Sequence, residues 1–469
     1  MHLLKSEVKS TSCSSSYEKM EGFFEPPKKQ LVRRILQRPR LSLRKILSNM
    51  EAFKVSLAWR NLQFDLKRLE DLHLELRQII SQMKSYSIDK NKNTRILADF
   101  KKNEQYQRCT ELRGQLLEIK DKMRIYKDQY KRKQEELLLL MEQLPNLIHP
   151  SVKETVNQIM FTFGEKPTFD YEPRDHTNLC SLLNLVDFQQ ASKVSGNGFY
   201  YLKNEAALLE VALISYAFNF AVSRGFTPLM TPDIIRSEFV TACGFQPKAS
   251  NTQIYKLSLK SEDLCLAGTA EVPLAGLLHY QELSRKSFPI KLVGFGRAYR
   301  AEAGAGASSR GLFRVHQFSK VELFCVTEDD LEKSDALLHE ICLFQRDFLT
   351  SLGLHAQALD MAARDLGHPA YRKIDIEAWL PGSNRFGEVS SASNCTDYQS
   401  RRLNICYRDE NQRKRFVHTL NGTACAIPRV LIAILETLQQ KDGSVVVPPV
   451  LRPFMMNKDV LHPRKRGKL

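Results

Sequence analysis

Two arginine-rich stretches in the second half of the chain carry the side chains best suited to binding a phosphorylated ligand. They read GRAYRAE (296–302) and RGLFRVHQFSKVE (310–322), with a loop rich in glycine, alanine and serine between them. If both stretches are regular strands, Arg300, Arg314 and Phe318 can converge on one ligand. Guanidinium groups contact phosphate oxygens in pairs, and a phenyl ring can stack on a base. No Gly-Lys-Ser/Thr follows the loop, which excludes a Walker A sequence, yet the stretches predict a nucleoside triphosphate site.

A hydroxyl and a carboxylate are paired in the stretch GTAEVP (268–273). Alternation along an extended strand would place Thr269 and Glu271 on the same side of the chain. Such a pair can hold an ammonium group. The alternative is an ordinary polar strand edge, and these residues alone do not separate the two interpretations.

Oxygen ligands and a further arginine follow towards the C-terminus. Glu388 and Ser391 in EVSSASN can supply oxygens to Mg²⁺, which binds phosphorylated substrates through one or two protein ligands. Arg429 follows Pro428 in NGTACAIPR, and proline is favoured at the first position of a helix. We therefore expect a helix to begin there, with Arg429 near its N-terminus. The stretch GFTPLMTP (225–232), taken alone, is a turn after a helix.

Two long amphipathic helices are predicted in the first third of the chain. Apolar residues recur at steps of three and four from Leu62 to Met83, and again from Leu112 to Leu144. Residues 85–103 lose this period and gather lysine, asparagine and serine, which predicts a turn there. Two such helices pack antiparallel, and the second would extend roughly 60 Å. For this segment alone, the alternative is a coiled coil that joins two chains.

The second half alternates helical and strand-like segments. Helices are predicted at 205–223, 327–352 and 427–440, with strand-like runs such as IKLVGFG, VELFCV and KIDIEAWL between them. Short strands are also predicted around Asp170 and at 199–202. The regular helix after each strand that a parallel doubly wound sheet needs does not occur in this pattern. The sequence therefore predicts the α+β class, with an antiparallel sheet flanked by helices.

Length and composition exclude several classes of protein. The 469 residues suffice for two or three domains, and 43% apolar with 26% charged residues is ordinary for a soluble protein. No run of 18 apolar residues occurs, so we expect no transmembrane helix and no membrane partner. The ten cysteines are scattered without a CxxC pair, which predicts a reducing compartment and no zinc site.

Positive charge is concentrated near the N-terminus. Residues 1–150 hold 31 basic and 19 acidic residues, an excess of 12 in a total formal charge of +16. Such a segment is suited to bind a polyanion, because its basic residues can neutralise phosphates and so release the counterions bound to them. Residues 26–46 carry eight basic residues and no acidic one, which is typical of a mitochondrial presequence. The first 25 residues include four glutamates, so a basic tail that contacts RNA stays open as an alternative.

Taken together, these stretches resemble the seryl-tRNA synthetases of class II. GRAYRAE followed by RGLFRVHQFSKVELF resembles motif 2, GFTPLMTP resembles motif 1, and NGTACAIPRVLIAILE resembles motif 3. GTAEVPL looks like the family's serine-binding element, EVSSASNCTDYQSRR like the stretch before motif 3, and the helical pair like its tRNA-binding arm. NGTACAIPR and QQKDGSVVVPPVLRPFM look like organellar members of the family. The implied division is a presequence or basic tail (1–41), an arm (42–150), a linker (151–203) and a catalytic domain (204–469).

The resemblance also implies roles for individual residues. Serine would be bound by Thr269, Ala270, Glu271, Arg300, Glu322 and Thr423. ATP would be bound by Arg300, Ala301, Glu302, Arg314, Val315, Phe318, Glu388, Val389, Ser390, Ser391 and Arg429. Of these, Arg300 and Arg429 would act in catalysis and Glu388 with Ser391 would hold Mg²⁺, while Pro232 would lie at a homodimer interface.

The implied reaction joins L-serine to tRNA(Ser) in two steps through seryl-adenylate, with ATP and Mg²⁺ and without zinc. The expected location is the mitochondrial matrix, or the cytoplasm if the N-terminal segment is no presequence. The loop at 303–310 departs from the family because it lacks the acidic residue that members commonly carry. Three alternatives remain: a non-catalytic paralogue that binds RNA or a partner, a class II enzyme for another amino acid, and a purely structural coiled coil.

Overall fold

The computed structural model of the chain describes residues 36, 39–246, 253–258, 263–301 and 311–464. The predicted presequence (1–41) therefore lies almost wholly outside the described residues, as do Glu302 and the loop at 303–310. The helices are α1 (Leu43–Ser48), α2 (Met50–Trp59), α3 (Leu66–Lys102), α4 (Tyr106–Gln143), α5 (His176–Leu182), α6 (Phe188–Ser195), α7 (Asn204–Val222), α8 (Ser237–Ala242), α9 (Glu271–Leu277), α10 (Leu331–Ser351), α11 (Tyr398–Leu403) and α12 (Ile427–Thr437). The strands are β1 (Gln158–Phe163), β2 (Val186–Asp187), β3 (Tyr201–Leu202), β4 (Thr227–Met230), β5 (Ile234–Arg236), β6 (Lys256–Ser258), β7 (Asp263–Leu266), β8 (Glu282–Leu283), β9 (Ile290–Tyr299), β10 (Gln317–Thr327), β11 (Ala356–Asp360), β12 (Arg372–Leu380), β13 (Arg385–Asn394), β14 (Cys406–Arg408), β15 (Lys414–Phe416), β16 (His418–Ala426), β17 (Val445–Val446) and β18 (Val460–Leu461).

Helices α3 and α4 form the predicted antiparallel hairpin, which we call the arm. Helix α3 has 37 residues, so it extends about 55 Å, and the Asp65 side chain caps its start by accepting from the backbone of Arg68. The break of the helix predicted within 85–103 is wrong, because α3 runs unbroken to Lys102 and the turn to α4 begins only at Asn103. This stretch contains no glycine or proline and needs only one packed contact per turn, such as Tyr86 against Tyr126. Exposed lysines and asparagines lower the periodicity there without breaking the helix.

Ion pairs connect the two helices of the arm near its base. Lys133 interrupts the apolar period of α4, and its Nζ lies 2.8 Å from Glu75 Oε2 on α3. Arg68 contacts Glu75 and also pairs with Glu136 across the helices. These side chains are about one third exposed, so the pairs contribute little stability and chiefly favour one register of the two helices.

The base of the arm is fixed to the rest of the protein by buried arginines. The guanidinium of Arg60, which is 4% exposed, donates to the backbone carbonyls of Asn146, Leu147, Leu366, Gly367 and Ala370. Arg402 donates in the same way to the carbonyls of Glu142 and Leu144, at the C-terminal end of α4. Burial lowers the pKa of Arg60 to about 10, so the group stays charged at neutral pH. A cation at a helix C-terminus also stabilises the helix dipole.

Replacing Arg60 by methionine should therefore destabilise the junction between the arm and the rest of the protein. The variant keeps the side-chain volume but leaves several buried carbonyls without their donor, which costs about 3 kcal/mol or more of the free energy of unfolding. Chemical denaturation followed by circular dichroism measures the loss. Arg364→Met is the matched control, because Arg364 is more than half exposed and should change stability by less than about 0.5 kcal/mol.

An eight-stranded sheet forms the centre of the second half, in the order β1-β11-β12-β13-β16-β10-β9-β4. Neighbouring strands are antiparallel except for β4, which runs parallel to β9 at the edge. One face packs against α7, α10 and α12 in the largest hydrophobic core, and the other faces α8, α9 and α11. The predicted α+β class and helix-flanked antiparallel sheet are confirmed. Each central strand thus has a core face and a second face, which borders a cleft.

Several element limits differ from the prediction. The segment around Asp170 is irregular and not a strand, because Pro167 and Pro173 flank it and lack backbone donors. The strand expected at 199–202 is reduced to β3. Helix α10 begins four residues later than predicted, since β10 continues to Thr327 and Asp330 caps the helix.

Helix α7 is the one helix in the described part of the chain that is long and apolar enough to cross a membrane. Its residues Ala206, Leu209, Leu213 and Ala217 are buried in the largest core, against the sheet. Its apolar character is thus accounted for by packing inside the protein.

Candidate active site

The floor of the cleft is built from β9, β10 and β16. Alternate residues of β10 contribute Val321 and Leu323 to the core, whereas Phe318, Lys320 and Glu322 lie on the opposite face. These three are paired with small residues of β9 (Ala298, Gly296 and Gly294). A Cβ at Gly296 would lie 3.0 Å from the carboxylate of Asp233 and 3.1 Å from the hydroxyl of Thr231, so the chain around β5 approaches closely only because the residue is glycine.

Thr269 and Glu271 lie at the start of α9 and not on the strand that the sequence predicted. Glu271 is the first residue of the helix, and its backbone N–H donates to Thr269 Oγ1 at 3.2 Å. Ala270, between them, is buried. The strand alternation that the sequence predicted is therefore wrong for this pair, because the residues lie at the start of a helix.

Two amide side chains hold the Glu271 carboxylate in place. Gln399 Nε2 donates to Oε1 at 2.6 Å, and Asn421 Nδ2 donates to Oε2 at 2.7 Å. Neither residue was predicted for the site, because both lie far from Glu271 in the sequence. Burial, followed by the negative charge of Glu322, raises the pKa of Glu271 to about 7, although Gln399 and nearby cations oppose this shift. A cation bound next to Glu271 would stabilise its ionised form.

Glu322 lies beside this group with Lys320 and Thr423. Lys320 Nζ is 2.6 Å from Glu322 Oε2 and 3.3 Å from Thr269 Oγ1. Thr423 Oγ1 donates to Glu322 at 3.5 Å, because an irregularity in the pairing of β10 with β16 places the two residues opposite each other. Lys320 was also missed, although its spacing of two from Glu322 in a strand places both on one face.

Arg300 follows β9 directly and borders the same cleft. Its guanidinium lies 5.3 Å from the centre of the Phe318 ring, and its Nε donates to the carbonyl of Gly268 at 3.3 Å. The backbone N–H groups of Arg300 and Ala301 donate to His316 and Gln253. The structure thus brings together the predicted Arg300 and Phe318.

Arg314 is placed differently from the prediction. Residues 311–314 form a turn, β10 begins only at Gln317, and the Arg314 side chain is exposed. Val315 is buried in the segment that leads into the strand. The predicted shared strand face of Arg314 and Phe318 is therefore wrong. Arg314 belongs to the turn before β10, whereas Phe318 is the second residue of that strand.

A bulge in β13 brings Glu388 and Ser391 onto the cleft face. A spacing of three would place them on opposite faces of a regular strand. The pairing with β12 shifts between Glu388 and Ser390, so Val389 is the extra residue and enters the core. Ser390 is buried, and its hydroxyl donates to the carbonyl of Thr423. The side chains of Val389 and Ser390 thus point away from the cleft.

Arg429 is the third residue of α12 and meets Glu388 across the cleft. Its Nη1 lies 3.1 Å from Glu388 Oε2 and donates to the Glu388 carbonyl. Its guanidinium also lies 4.9 Å from the centre of the Phe313 ring. Burial alone would raise the pKa of Glu388, but the charges of Arg429 and Lys373 outweigh it and lower the pKa. The carboxylate is therefore ionised at neutral pH and available to a cation.

Pro232 follows β4, the edge strand of the large sheet. It is exposed, and so are the neighbouring apolar side chains of Met230 and Ile234. Ile214 and Phe218 of α7 lie beside Met230. Apolar side chains are thus gathered along this edge of the sheet.

Comparison with known proteins identifies the cleft. Residues 255–438 match the family model of the tRNA synthetase class II core domain (G, H, P, S and T). The chain is 43% identical over 391 residues to the mitochondrial serine–tRNA ligase of Bos taurus, covering 81% of this chain and 76% of that protein. It is 39% identical over 416 residues to the serine–tRNA ligase of Treponema denticola, covering 87% and 97%.

A solved structure extends the similarity to three dimensions. The seryl-tRNA synthetase of Pyrococcus horikoshii complexed with ATP superposes with a TM-score of 0.83 and 32% identity, over 91% of this chain and all of that one. Arm, sheet and cleft are thus shared with enzymes of one kind. The chain belongs to the seryl-tRNA synthetases, a family of class II aminoacyl-tRNA synthetases.

Proposed function

We propose that this serine–tRNA ligase activates L-serine with Mg²⁺-bound ATP in the cleft between β9, β10, β13 and β16. The observation that carries this proposal is the cluster of Thr269, Glu271, Glu322 and Thr423 at one end of the cleft, next to Arg300. Buried carboxylates suit an ammonium group, and a guanidinium suits the carboxylate and phosphate that must meet there.

The serine side chain and ammonium group would occupy the end of the cleft beneath α9. Glu271 and Glu322, with the hydroxyl of Thr269 and the backbone near Ala270, would surround the ammonium group. Thr423 and Glu322 would contact the serine hydroxyl. Lys320 keeps Glu322 in place through its 2.6 Å contact, so it acts as a positioning residue.

ATP would lie along β9, β10 and β13. Phe318 would stack on the adenine, with Glu302, Arg314 and the backbone of Ala301 and Val315 around the nucleotide. Arg300 would contact the α-phosphate and Arg429 the γ-phosphate. The N-terminus of α12 faces the same region, and helix N-termini favour anions.

Glu388 and Ser391 fit a Mg²⁺ ion, because their two oxygen-bearing side chains lie on one face of β13 and Glu388 is ionised. The backbone of Val389 and Ser390 would border the same phosphates. Mg²⁺ would neutralise charge on the phosphate oxygens when bound. In the described part of the chain no cluster of three histidine, cysteine or carboxylate ligands occurs.

The reaction needs positioning and charge stabilisation and no protein nucleophile. The serine carboxylate attacks the α-phosphorus, the bond to the β-phosphate oxygen breaks, and pyrophosphate leaves. Arg300 holds the two reacting groups and Arg429 the leaving group, which lowers the barrier because both cations are already in place. A ribose hydroxyl of the terminal adenosine of tRNA(Ser) then attacks the seryl carbonyl, and AMP leaves.

ATP–pyrophosphate exchange with serine and other amino acids tests this proposal. A non-catalytic paralogue would show no exchange with any amino acid, and an enzyme for another amino acid would prefer that substrate. Contacts of Lys320 with Glu322 and Thr269, and of Thr423 with Glu322, support the catalytic alternative, because they keep the proposed serine-binding side chains in one cluster.

Discrimination between serine and alanine should be strong. Alanine lacks the hydroxyl and would leave Thr423 and Glu322 buried without their partner, so kcat/KM for alanine should be at least about a thousandfold lower. Thr423→Val should lower kcat/KM for serine and leave that for alanine nearly unchanged. Comparable exchange rates with both amino acids would contradict this pocket.

The KM for serine should rise as the pH falls below about 7. Glu271, with its pKa raised to about 7, is ionised above that pH and protonated below it, and only the ionised form attracts the serine ammonium group. The KM for ATP should change much less. In Glu271→Gln the KM for serine should be higher throughout and lose this pH dependence; an unchanged pH profile would refute the role.

We also propose that the enzyme is a homodimer that assembles through the surface around Pro232. An edge strand with exposed apolar side chains offers both hydrogen-bonding groups and apolar area to a second copy. Met230→Glu should give a monomer in analytical ultracentrifugation. A variant that stays dimeric would place the interface elsewhere.

Location in the mitochondrion is supported by the resemblance to mitochondrial relatives and by the basic N-terminus. The backbone N–H of Leu36 donates to Glu238, and that of Arg40 donates to the carbonyl of Arg401. A presequence would therefore end before residue 36 and not at residue 41. Fusing residues 1–35 to a fluorescent protein tests whether they direct import into mitochondria. Fluorescence that stays in the cytoplasm would refute the proposed presequence.

A further inference from the structure

Strand β12 places another carboxylate on the cleft face, next to the residues proposed for Mg²⁺. Asp375 lies directly opposite Ser391 in the pairing of β12 with β13, and Lys373 lies two residues before it. The alternate residues Ile374 and Ile376 are buried in the core on the other face. Residues opposite each other in an antiparallel pair have Cβ atoms about 4.5–5.5 Å apart. Asp375 is therefore a direct neighbour of a proposed metal ligand.

The two oxygens of Asp375 have different environments. Oδ2 accepts a hydrogen bond from Lys373 Nζ at 2.7 Å. The side chain is only 5% exposed, and its Oδ1 has no hydrogen-bond partner within the described residues. Buried polar atoms nearly always have a partner, and an anionic oxygen without one is costly. A hydrogen-bond donor or a cation next to Asp375 Oδ1 would remove this cost.

Other charges on this face point to a cation. Glu377 lies opposite Glu388 in the same pairing, so three carboxylates share the cleft side of β12 and β13. Glu377 is engaged by Gln357, and Glu388 is approached by Arg429. Asp375 thus places a buried oxygen without a partner among the described residues next to the residues proposed for Mg²⁺.

We propose that Asp375 is a third protein residue of the Mg²⁺ site, where Lys373, bound to its second oxygen, competes with the ion for its negative charge. The inference rests on the proposed binding of Mg²⁺–ATP at Glu388 and Ser391. Because metal-bound waters donate hydrogen bonds to neighbouring acceptors, the Asp375 carboxylate would raise the affinity for the ion and not bind the nucleotide itself.

A purely structural ion pair makes different predictions from this role. If Asp375 and Lys373 only stabilise the sheet, Asp375→Asn should leave the metal affinity unchanged, whereas Lys373→Met removes a positive charge that also acts on Glu388. If Asp375 serves the metal, the two substitutions should act in opposite directions. Asp375→Asn removes the negative charge, whereas Lys373→Met removes the cation that competes for it.

Mn²⁺ binding measured by electron paramagnetic resonance tests the proposal without relying on activity. Mn²⁺ is titrated into full-length enzyme that is in excess over ATP, without serine, and the signal of free Mn²⁺ gives the affinity. Asp375→Asn should weaken Mn²⁺ binding about ten- to hundredfold, as is typical for residues that support a metal site. Lys373→Met should tighten it severalfold.

Asp360→Asn is the matched control. Asp360 is equally buried and paired with Arg372, but both its oxygens are hydrogen-bonded and it lies on the opposite face of the sheet. It should leave the Mn²⁺ affinity within about twofold of the wild type, because its side chain lies on the other face of the sheet and its charge is neutralised by Arg372. Circular dichroism confirms that each variant is folded.

The outcomes separate this inference from the proposed function. Equal Mn²⁺ affinity in wild type and Asp375→Asn, or the same weakening in Asp375→Asn and Lys373→Met, would overturn the role of Asp375. Should the Asp375 variant not fold, Lys373→Met decides, because unchanged or weaker binding there contradicts the proposal. If the wild-type enzyme holds no more Mn²⁺ than ATP alone does, the proposed Mg²⁺ site itself is refuted.

Discussion

Replacing Arg300 by alanine should slow serine-dependent ATP–pyrophosphate exchange by a hundredfold or more. The guanidinium follows β9 into the cleft, next to Phe318 and the carbonyl of Gly268. In the proposed reaction it contacts both the attacking carboxylate and the α-phosphate. Loss of one preorganised contact to a transition state costs about 2.7–4 kcal/mol, which is a factor of 10²–10³ in rate. Arg429→Ala should have an effect of similar size through the leaving group.

Lysine should restore little activity at position 300. Its ammonium group is a point charge and cannot reproduce the planar fork that contacts two oxygens at once. Arg346→Ala is the control, because Arg346 lies on α10 and pairs with the adjacent Asp347 on the surface. Near-normal exchange by Arg300→Ala, with the control also normal, would remove Arg300 from the mechanism.

The period of apolar residues predicted both helices of the arm and the class of the catalytic domain. It failed within 85–103, where the helix touches a neighbour on one side only and its other positions face water. There, polar residues replace apolar ones without any cost to the helix. Apolar residues recur regularly only where one face of a helix is buried. Their period therefore underestimates the length of a helix that extends into solvent.

The chemistry of the candidate site was readable from short motifs, but its geometry was not. Glu388 and Ser391 share a face only because Val389 bulges out of β13, and a bulge depends on the partner strand. Gln399 and Asn421 hold Glu271 from segments that are distant in sequence. Such contacts form only when distant segments pack together, so the spacing of residues within a short motif does not predict them.

Shortening the arm should separate the two steps of the reaction. Residues 81–127 can be replaced by a short turn, because Ile80 and Asp128 lie near each other, as the Tyr86–Tyr126 contact and the Glu75–Lys133 ion pair on either side of them show. The ion pair stays in the shortened hairpin. Serine-dependent exchange should remain within about threefold of the wild type, because contacts to ATP and serine involve no arm residue. Charging of tRNA should fall by about a hundredfold or more.

The reason for the expected loss is electrostatic. The removed residues 81–127 hold twelve basic and six acidic residues, an excess of six positive charges, and most of them are exposed and available to phosphates. Each neutralised phosphate releases counterions, so the affinity of the intact enzyme for tRNA should fall steeply with added salt. The shortened variant should bind tRNA weakly at low salt and show a smaller slope of log affinity against log salt.

Sedimentation of the shortened variant distinguishes this role from that of a coiled coil that joins two chains. If the arm binds tRNA and the dimer forms at the surface around Pro232, the variant should sediment as a dimer that performs exchange but not charging. A dimerising arm requires the opposite, since its removal would yield a monomer. A monomer that still charges tRNA would refute both the tRNA-binding arm and the proposed interface, because the arm would then be needed for assembly alone.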